Sequence, residues 1–213
     1  MPASTSLPAR GTYRHGDLRR ALIDAGVELA RSGGPEAVVL REATRRAGVV
    51  PNAAYRHFAS RRELLGAVRS ASLSALAVAM ETELAGLHGL EDAADFARAN
   101  LRAIGAGYLR FALAEPGLFR TAFVVPGDAR SAAGPDKAGN SGLDPFELLS
   151  AALDRLVAAG VLPEARRPGA EYLAWSAVHG LAMLVIDGPL RGLAPTQADT
   201  IGERLLEMVE KGL

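Results

Sequence analysis

Residues 39–58, VLREATRRAGVVPNAAYRHF, restrict the fold more than any other stretch of the chain. Leu40, Ala43 and Ala47 repeat at helical spacing and share one face of a short helix. Gly48 follows where a helix end takes a left-handed residue. Pro51 then pre-sets φ for the first turn of a second helix. Ala54 and Phe58, four apart, form the inner edge of that second helix, with Phe58 as a core anchor. Arg41, Arg45, Arg46, Arg56 and His57 remain outside and make the outer surface basic.

The other periodicities are helical too, with no strand-period run and no internal repeat. A first helix is expected over residues 17–32, where Leu18, Leu22, Ala25 and Leu29 make an inward stripe. Ser60 and Glu63 have capping-box spacing and open a fourth helix, expected to reach residue 84 or 85. Its inward residues are Leu64, Val68, Leu76, Met80 and Leu84, and no other element is long enough to join a head to a body. Glu91 and Asp92 suit the start of a fifth helix ending near residue 114. Glu115, Pro116 and Gly117 break it, and a short apolar helix over residues 118–125 follows. Residues 126–142 hold four glycines and two prolines without a large apolar side chain, and read as a mobile loop inside the body. Asp144 and Pro145 give a cap and a first-turn proline to a helix ending at Gly160. Residues 168–188 and 196–211 are the last two helices. Their stripes, Leu173, Val178, Leu181 and Val185, then Ile201, Leu205 and Val209, leave more apolar surface than one side needs.

The expected fold is therefore all-α, with about nine helices in total. An N-terminal three-helix helix-turn-helix domain over residues 12–70 precedes a larger C-terminal helical bundle over residues 71–213. Residues 1–11 are expected to be a disordered arm; with it, Arg10, Tyr13, Arg14 and His15 are candidates to reach phosphates or a minor groove.

Charge divides along the same line. Residues 1–70 carry 12 Lys+Arg against 6 Asp+Glu, a net of +6, whereas residues 71–213 carry 12 against 18, a net of −6. A basic head on an acidic body fits a nucleic-acid-binding unit attached to a sensing or dimerising one. The absence of cysteine excludes disulfides, thiol catalysis and thiol sensing. Residues 1–16 show no apolar run of the signal-peptide kind. Residues 175–186, the longest apolar stretch, are too short to span a bilayer. The expectation is a soluble, cytoplasmic protein with no membrane partner.

The flanks HGDLRRALIDAGVELARSGG and ASRRELLGAV extend the pattern. Together, residues 12–69 resemble the DNA-binding domain of TetR-type bacterial transcriptional regulators. The matching pieces are Ala47-Gly48-Val49, Tyr55-Arg56-His57-Phe58 and Ser60-Arg61-Arg62-Glu63-Leu64-Leu65. In the body, YLRFALAEPGLFR at residues 108–120 and WSAVHGL at residues 175–181 resemble the TetR/AcrR subgroup with a Trp-His-Gly C-terminal signature, carried here by Trp175, His179 and Gly180.

A helix-turn-helix lays its second helix in the major groove of double-stranded DNA. Pro51, Asn52 and Ala53 begin that helix, and Asn52 is the candidate for a base contact because it offers donor and acceptor together. Arg56 is placed to meet a guanine or a phosphate, and Arg41 belongs to the same basic surface. The resemblance implies phosphate contacts at Tyr55, His57 and Arg61; Thr44 has two readings, as a contact or as a helix-internal hydroxyl. Two departures stand out. Val39 and Val50 occupy positions where the family usually has a hydroxyl that caps a helix and often binds phosphate.

The resemblance also implies a homodimer formed through the last two helices, a palindromic operator and an unknown small-molecule effector bound by the body. Candidate pocket residues are Tyr108, Phe111, Phe119, Phe123, Trp175, His179 and Met183, with His179 and Tyr108 as the polar groups; an aromatic set at this spacing also fits plain core. No catalytic residue, metal site or cofactor is expected: His15, His57, His88 and His179 lie far apart and no nucleophile motif occurs. The expected function is a repressor released by its effector; the alternative is a dimeric helical scaffold without specific DNA binding.

Overall fold

The computed structural model describes residues 15–123 and 135–213, which form nine α-helices and no strand. The helices are α1 (His15–Ala37), α2 (Leu40–Arg46), α3 (Pro51–Ala54), α4 (Arg61–Ala85), α5 (Ala93–Ala114), α6 (Pro116–Phe123), α7 (Pro145–Ala158), α8 (Ala170–Ile186) and α9 (Pro195–Gly212). Arg10, Tyr13, Arg14 and residues 126–134 of the expected loop lie outside the described residues.

Helix α1 runs past its expected end only in name. Gly34 breaks it at φ 68°, and Pro35 starts a last turn that leads into α2. Leu22 and Leu29 from α1 meet Val38, Ala43, Ala54, Phe58, Leu64 and Val68 in a closed head core. Gly48 sits at φ 68° and ends α2 in a Schellman motif: Val49 N donates to Thr44 O and Gly48 N donates to Arg45 O. Helix α3 is shorter than expected. Regular helix stops at Ala54, and His57 N and Phe58 N both donate to the Ala54 carbonyl, closing a turn in place of further helix.

At the start of α4 the capping box is half realised. Ser60 Oγ accepts from Glu63 N at 3.3 Å, but Glu63 reaches back to Ala59 N rather than to Ser60 N. The full box occurs at α7, where Asp144 accepts from Phe146 N and Glu147 N while Glu147 accepts from Asp144 N. Asp92 caps α5 by accepting from Ala94 N and Asp95 N.

Helix α4 is the spine. Its first turns pack under α1, and its second half lies against α5 and α7. Among the described residues, α4, not residues 175–186, is the helix long and apolar enough to cross a membrane, and half of its apolar window is buried inside the protein, as in a core helix. Helix α6 lies against both α1 and α4, so the body touches the head through two helices. The contact is close because Gly117 has no side chain: a Cβ there would stand 2.2 Å from Ala30 O and 2.6 Å from Arg31 O. Arg31 reinforces it with a two-oxygen ion pair to Glu115 at 3.0 and 2.9 Å.

Residues 135–142, the later part of the expected loop, cross α4. Ser74 Oγ donates to Ala138 O at 2.6 Å, and Glu81 accepts from Asn140 N, Ser141 N and Ser141 Oγ. The Glu81 carboxyl is held below its ordinary range by those donors, against the opposing effect of burial.

Candidate functional site

Two regions carry chemistry, and each follows from the packing just described. In the head, burial of Leu40, Ala43 and Ala54 turns the opposite faces of α2 and α3 outward. Arg41, Asn52, Tyr55 and Arg56 are all exposed there; Ala53 and His57 are half-buried. Tyr55, at 57% exposure, is a large aromatic side chain held out of the core beside a basic neighbour. Glu42 offsets part of the basic surface by pairing with Arg45 at 2.7 Å and Arg46 at 3.4 Å. Hydrogen bonding from Arg45 drives the Glu42 carboxyl down to about 2. Arg41 and Arg56 form no ion pair among the described residues, which leaves them as the cations of this face available to phosphate.

Two candidates hold hydrogen bonds within the protein. Thr44 is buried, and its Oγ1 donates back to Arg41 O at 2.6 Å, so it is a helix-internal hydroxyl. Arg61 is exposed but tied back to the protein: Nε donates to Val38 O at 2.8 Å and Nη2 to Pro35 O at 2.7 Å, with Glu36 at 3.3 Å. Those carbonyls belong to the junction of α1 and α2, which the side chain clamps. Val39 is the uncapped start of α2, and Val50 is 69% exposed before α3.

In the body, α4, α5, α6, α7, α8 and α9 line a cavity of about 440 Å³. Tyr108, Phe123, Trp175 and His179 line it, four of the seven expected residues. The other three do not. Phe119 is fully buried behind Tyr108, meeting its ring edge-on at 5.5 Å; Phe111 is buried in the core outside the wall; Met183 lies on the exposed side of α8. The helical period marks faces of each helix, but which neighbour a residue meets depends on the order in which the helices pack. The wall also includes Met80, Ile104, Leu149, Phe146 and Leu206, dispersed over four helices and unmarked by any motif. Gly105 belongs there as well, where Leu206 Cδ2 fills the space of a side chain.

The polar groups of the cavity form a chain. Trp175 Nε1 donates to the Tyr108 hydroxyl at 3.1 Å, and the same oxygen is 2.8 Å from His179 Nδ1. Burial pushes the Tyr108 phenol well above its ordinary range and pulls the His179 imidazole below its own, so both are neutral near pH 7. Asp144 reaches the wall while capping α7, and burial raises its carboxyl. Arg69 Nε donates to Ala122 O at 2.9 Å. Arg102 lies 3.0 Å from the buried Glu210, which Arg98 also holds at 3.1 Å. Glu210 Oε2 has no aligned hydrogen bond, so the Arg102 contact is charge proximity without good geometry. No cluster of His, Asp or Glu suited to a metal ion occurs among the described residues.

The model described as "Tetracyclin repressor-like, C-terminal domain" matches residues 101–209, more than half of the 213-residue chain, and "Bacterial regulatory proteins, tetR family" matches residues 22–68. The chain belongs to the TetR family. Solved structures agree with this TetR fold over nearly the whole length. A protein of unknown function from Rhodococcus sp. RHA1 shares 26% identity at a TM-score of 0.73, covering 96% of this chain and 99% of that one. A putative tetR family transcription regulator from Shewanella sp. PV-4 shares 15% at 0.62, covering 92% and 97%. A TetR variant from Acinetobacter baumannii AYE, in complex with minocycline, shares 19% at 0.57, covering 94% and 96%. No curated protein matches the chain. As a TetR-type regulator the chain pairs a helix-turn-helix head with a helical C-terminal domain, and its general role is transcription regulation through DNA binding.

Proposed function

We propose that this TetR-type chain is a cytoplasmic, non-enzymatic homodimeric repressor that leaves a palindromic operator when a small molecule enters the body cavity. One observation carries the reading: a cavity of about 440 Å³ lies against the two helices, α4 and α6 (through Phe123), that also touch α1 of the head. A ligand that reshapes the wall has a direct mechanical route to the DNA-facing elements. The minocycline complex of the Acinetobacter protein supports a small-molecule ligand for a chain of this fold.

Dimerisation is supported by an apolar face left uncovered on α8 and α9: Leu173, Leu184, Ile201 and Met208 are exposed, and Gly180 between the two leucines leaves open room for a neighbouring helix. Two-fold pairing would set the α3 helices about 34–36 Å apart, or a multiple of it. Asn52 is assigned to a base edge, and Arg41, Tyr55 and Arg56 to phosphates or a guanine. Ala53 and Pro51 bring the helix start close to the groove, and His57 supports from the half-buried side. The effector favours the wrongly spaced dimer and shifts the population by its difference in affinity for the two forms.

The test is binding of the purified protein to its own upstream intergenic DNA across a salt series, against a scrambled duplex. Selective binding that weakens steeply with salt and is lost on joint Asn52→Ala and Tyr55→Ala substitution is expected. A folded dimer that binds no duplex at low salt would instead be a scaffold.

A further inference from the structure

The hydrogen-bond wiring of the cavity limits what its ligand can be. Trp175 Nε1–H can only donate, and it donates to the Tyr108 oxygen. Tyr108 is buried, and His179 Nδ1 is the one acceptor among the described residues within reach of its O–H. The assignment that leaves no buried hydrogen unpaired therefore has the Tyr108 O–H donating to Nδ1. Nδ1 then carries no proton, and the ring proton sits on Nε2. Nε2 has no hydrogen-bond partner among the described residues, and His179 lines the cavity. The result is a fixed, neutral N–H donor set into an apolar wall.

The charged groups of the wall point the same way because each is already engaged within the protein. Arg69 holds the Ala122 carbonyl, Arg102 stands against Glu210, and Asp144 caps α7. An ionic ligand would have to break one of these to find a counter-charge. Around His179 the surfaces are flat rings: Phe123 lies 4.9 Å away, Trp175 lies 6.0 Å from Phe123, and Phe146 lies 6.4 Å from Trp175.

We propose that the cavity selects a neutral ligand with a planar ring system bearing a carbonyl-type oxygen, which accepts a hydrogen bond from His179 Nε2–H. The proposal rests on reading the cavity as the effector site. The partner chemistry is complementary: one donor on the protein, one acceptor on the ligand, and apolar area elsewhere. A hydrocarbon of the same shape would fill the space and leave the donor unmet. A carboxylate would add a charge for which the wall has no free partner.

Three probes of one shape separate these cases: 9-fluorenone, fluorene and fluorene-9-carboxylate. Trp175 is the only tryptophan in the chain and lines the cavity, so quenching of its emission reports occupancy of this site. Fluorenone is expected to bind about tenfold more tightly than fluorene, and the carboxylate more weakly than fluorenone. In His179→Phe the ratio of fluorenone to fluorene falls to about one while fluorene changes little. The carbonyl stretch of bound fluorenone moves to lower wavenumber in the wild type and not in the variant, a readout that a packing role for His179 would not produce. Nitrogen-15 shifts of the imidazole are expected to show Nε2 protonated and Nδ1 bare. Equal affinity for fluorenone and fluorene, tighter binding of the carboxylate, or a proton on Nδ1 would overturn the ligand class and leave the cavity as a binding site. Failure of all three probes to quench Trp175 would overturn the cavity reading along with it.

Discussion

The Tyr108 hydroxyl is one oxygen shared by two neighbouring rings. Tyr108→Phe keeps the shape and removes that atom, leaving Trp175 Nε1–H and His179 Nδ1 without a protein partner. The expected loss is about 1–3 kcal/mol in urea unfolding, with helix content unchanged. His179 adds a pH dependence. Burial lowers its pKa in the folded protein, so below about pH 6.5 the unfolded chain binds more protons at this residue than the folded one. This residue's contribution is therefore fully present above that pH and is lost as pH falls toward the depressed value. Unfolding midpoints of wild type and His179→Phe between pH 5 and pH 8 should converge on the acid side. Trp175 and His179 were legible in the sequence because their four-residue spacing needs no knowledge of neighbours. Met183 continues the same four-residue spacing yet lies on the exposed side of α8, outside the cavity wall, because spacing alone does not say how far along the helix the cavity extends. The clamp made by Arg61 was not legible for a different reason: its carbonyl partners at residues 35 and 38 are more than twenty positions away.

The helix ends show where local chemistry decides a structure and where it does not. Asp92, Asp144 and Gly48 act as their types dictate, because a cap needs only the first or last turn of its own helix. Helix α3 ended early because the closure at Ala54 places Phe58 in the core, and core packing outweighs the weak preference of residues 55–57 for continued helix. Helix α2 begins at Val39 with no side-chain cap. Val39→Thr should raise stability by about 0.5–2 kcal/mol in denaturant unfolding, since the position is exposed and its backbone is already extended. The same hydroxyl should tighten operator binding if a phosphate lies at that helix start. Gly117→Ala tests the contact of α6 with α1. Its Cβ would overlap two backbone carbonyls, which cannot turn aside as a side chain can. A cost of about 1–3 kcal/mol is expected from thermal or urea unfolding, with weakened DNA binding in the surviving folded fraction.

Across the molecule, a net charge of zero conceals a head of +6 and a body of −6. DNA attracts one end and repels the other, so the charge separation orients the approach before any contact forms. Exposed Leu173, Leu184, Ile201 and Met208 are expected to be covered by a second copy. Joint Leu173→Glu and Leu184→Glu should convert dimer to monomer in sedimentation while leaving each chain folded, because neither side chain belongs to the buried core. Operator affinity should then fall by orders of magnitude, since each half-site would be held alone.

Gly117 has a further consequence for how signals pass. Where α6 meets the carbonyls of α1 there is no clearance, and the joint has no backlash: a push of a fraction of an ångström on α6 moves α1 or meets its full resistance. With a ligand in the proposed effector cavity, the wall would respond to its thickness, whereas affinity also grows with contacts that displace nothing. A thin molecule that binds tightly without spreading the wall should occupy the cavity and leave the operator bound. Such a molecule would be an antagonist of the thicker ligands it excludes, and the ranking of compounds by binding would differ from their ranking by release.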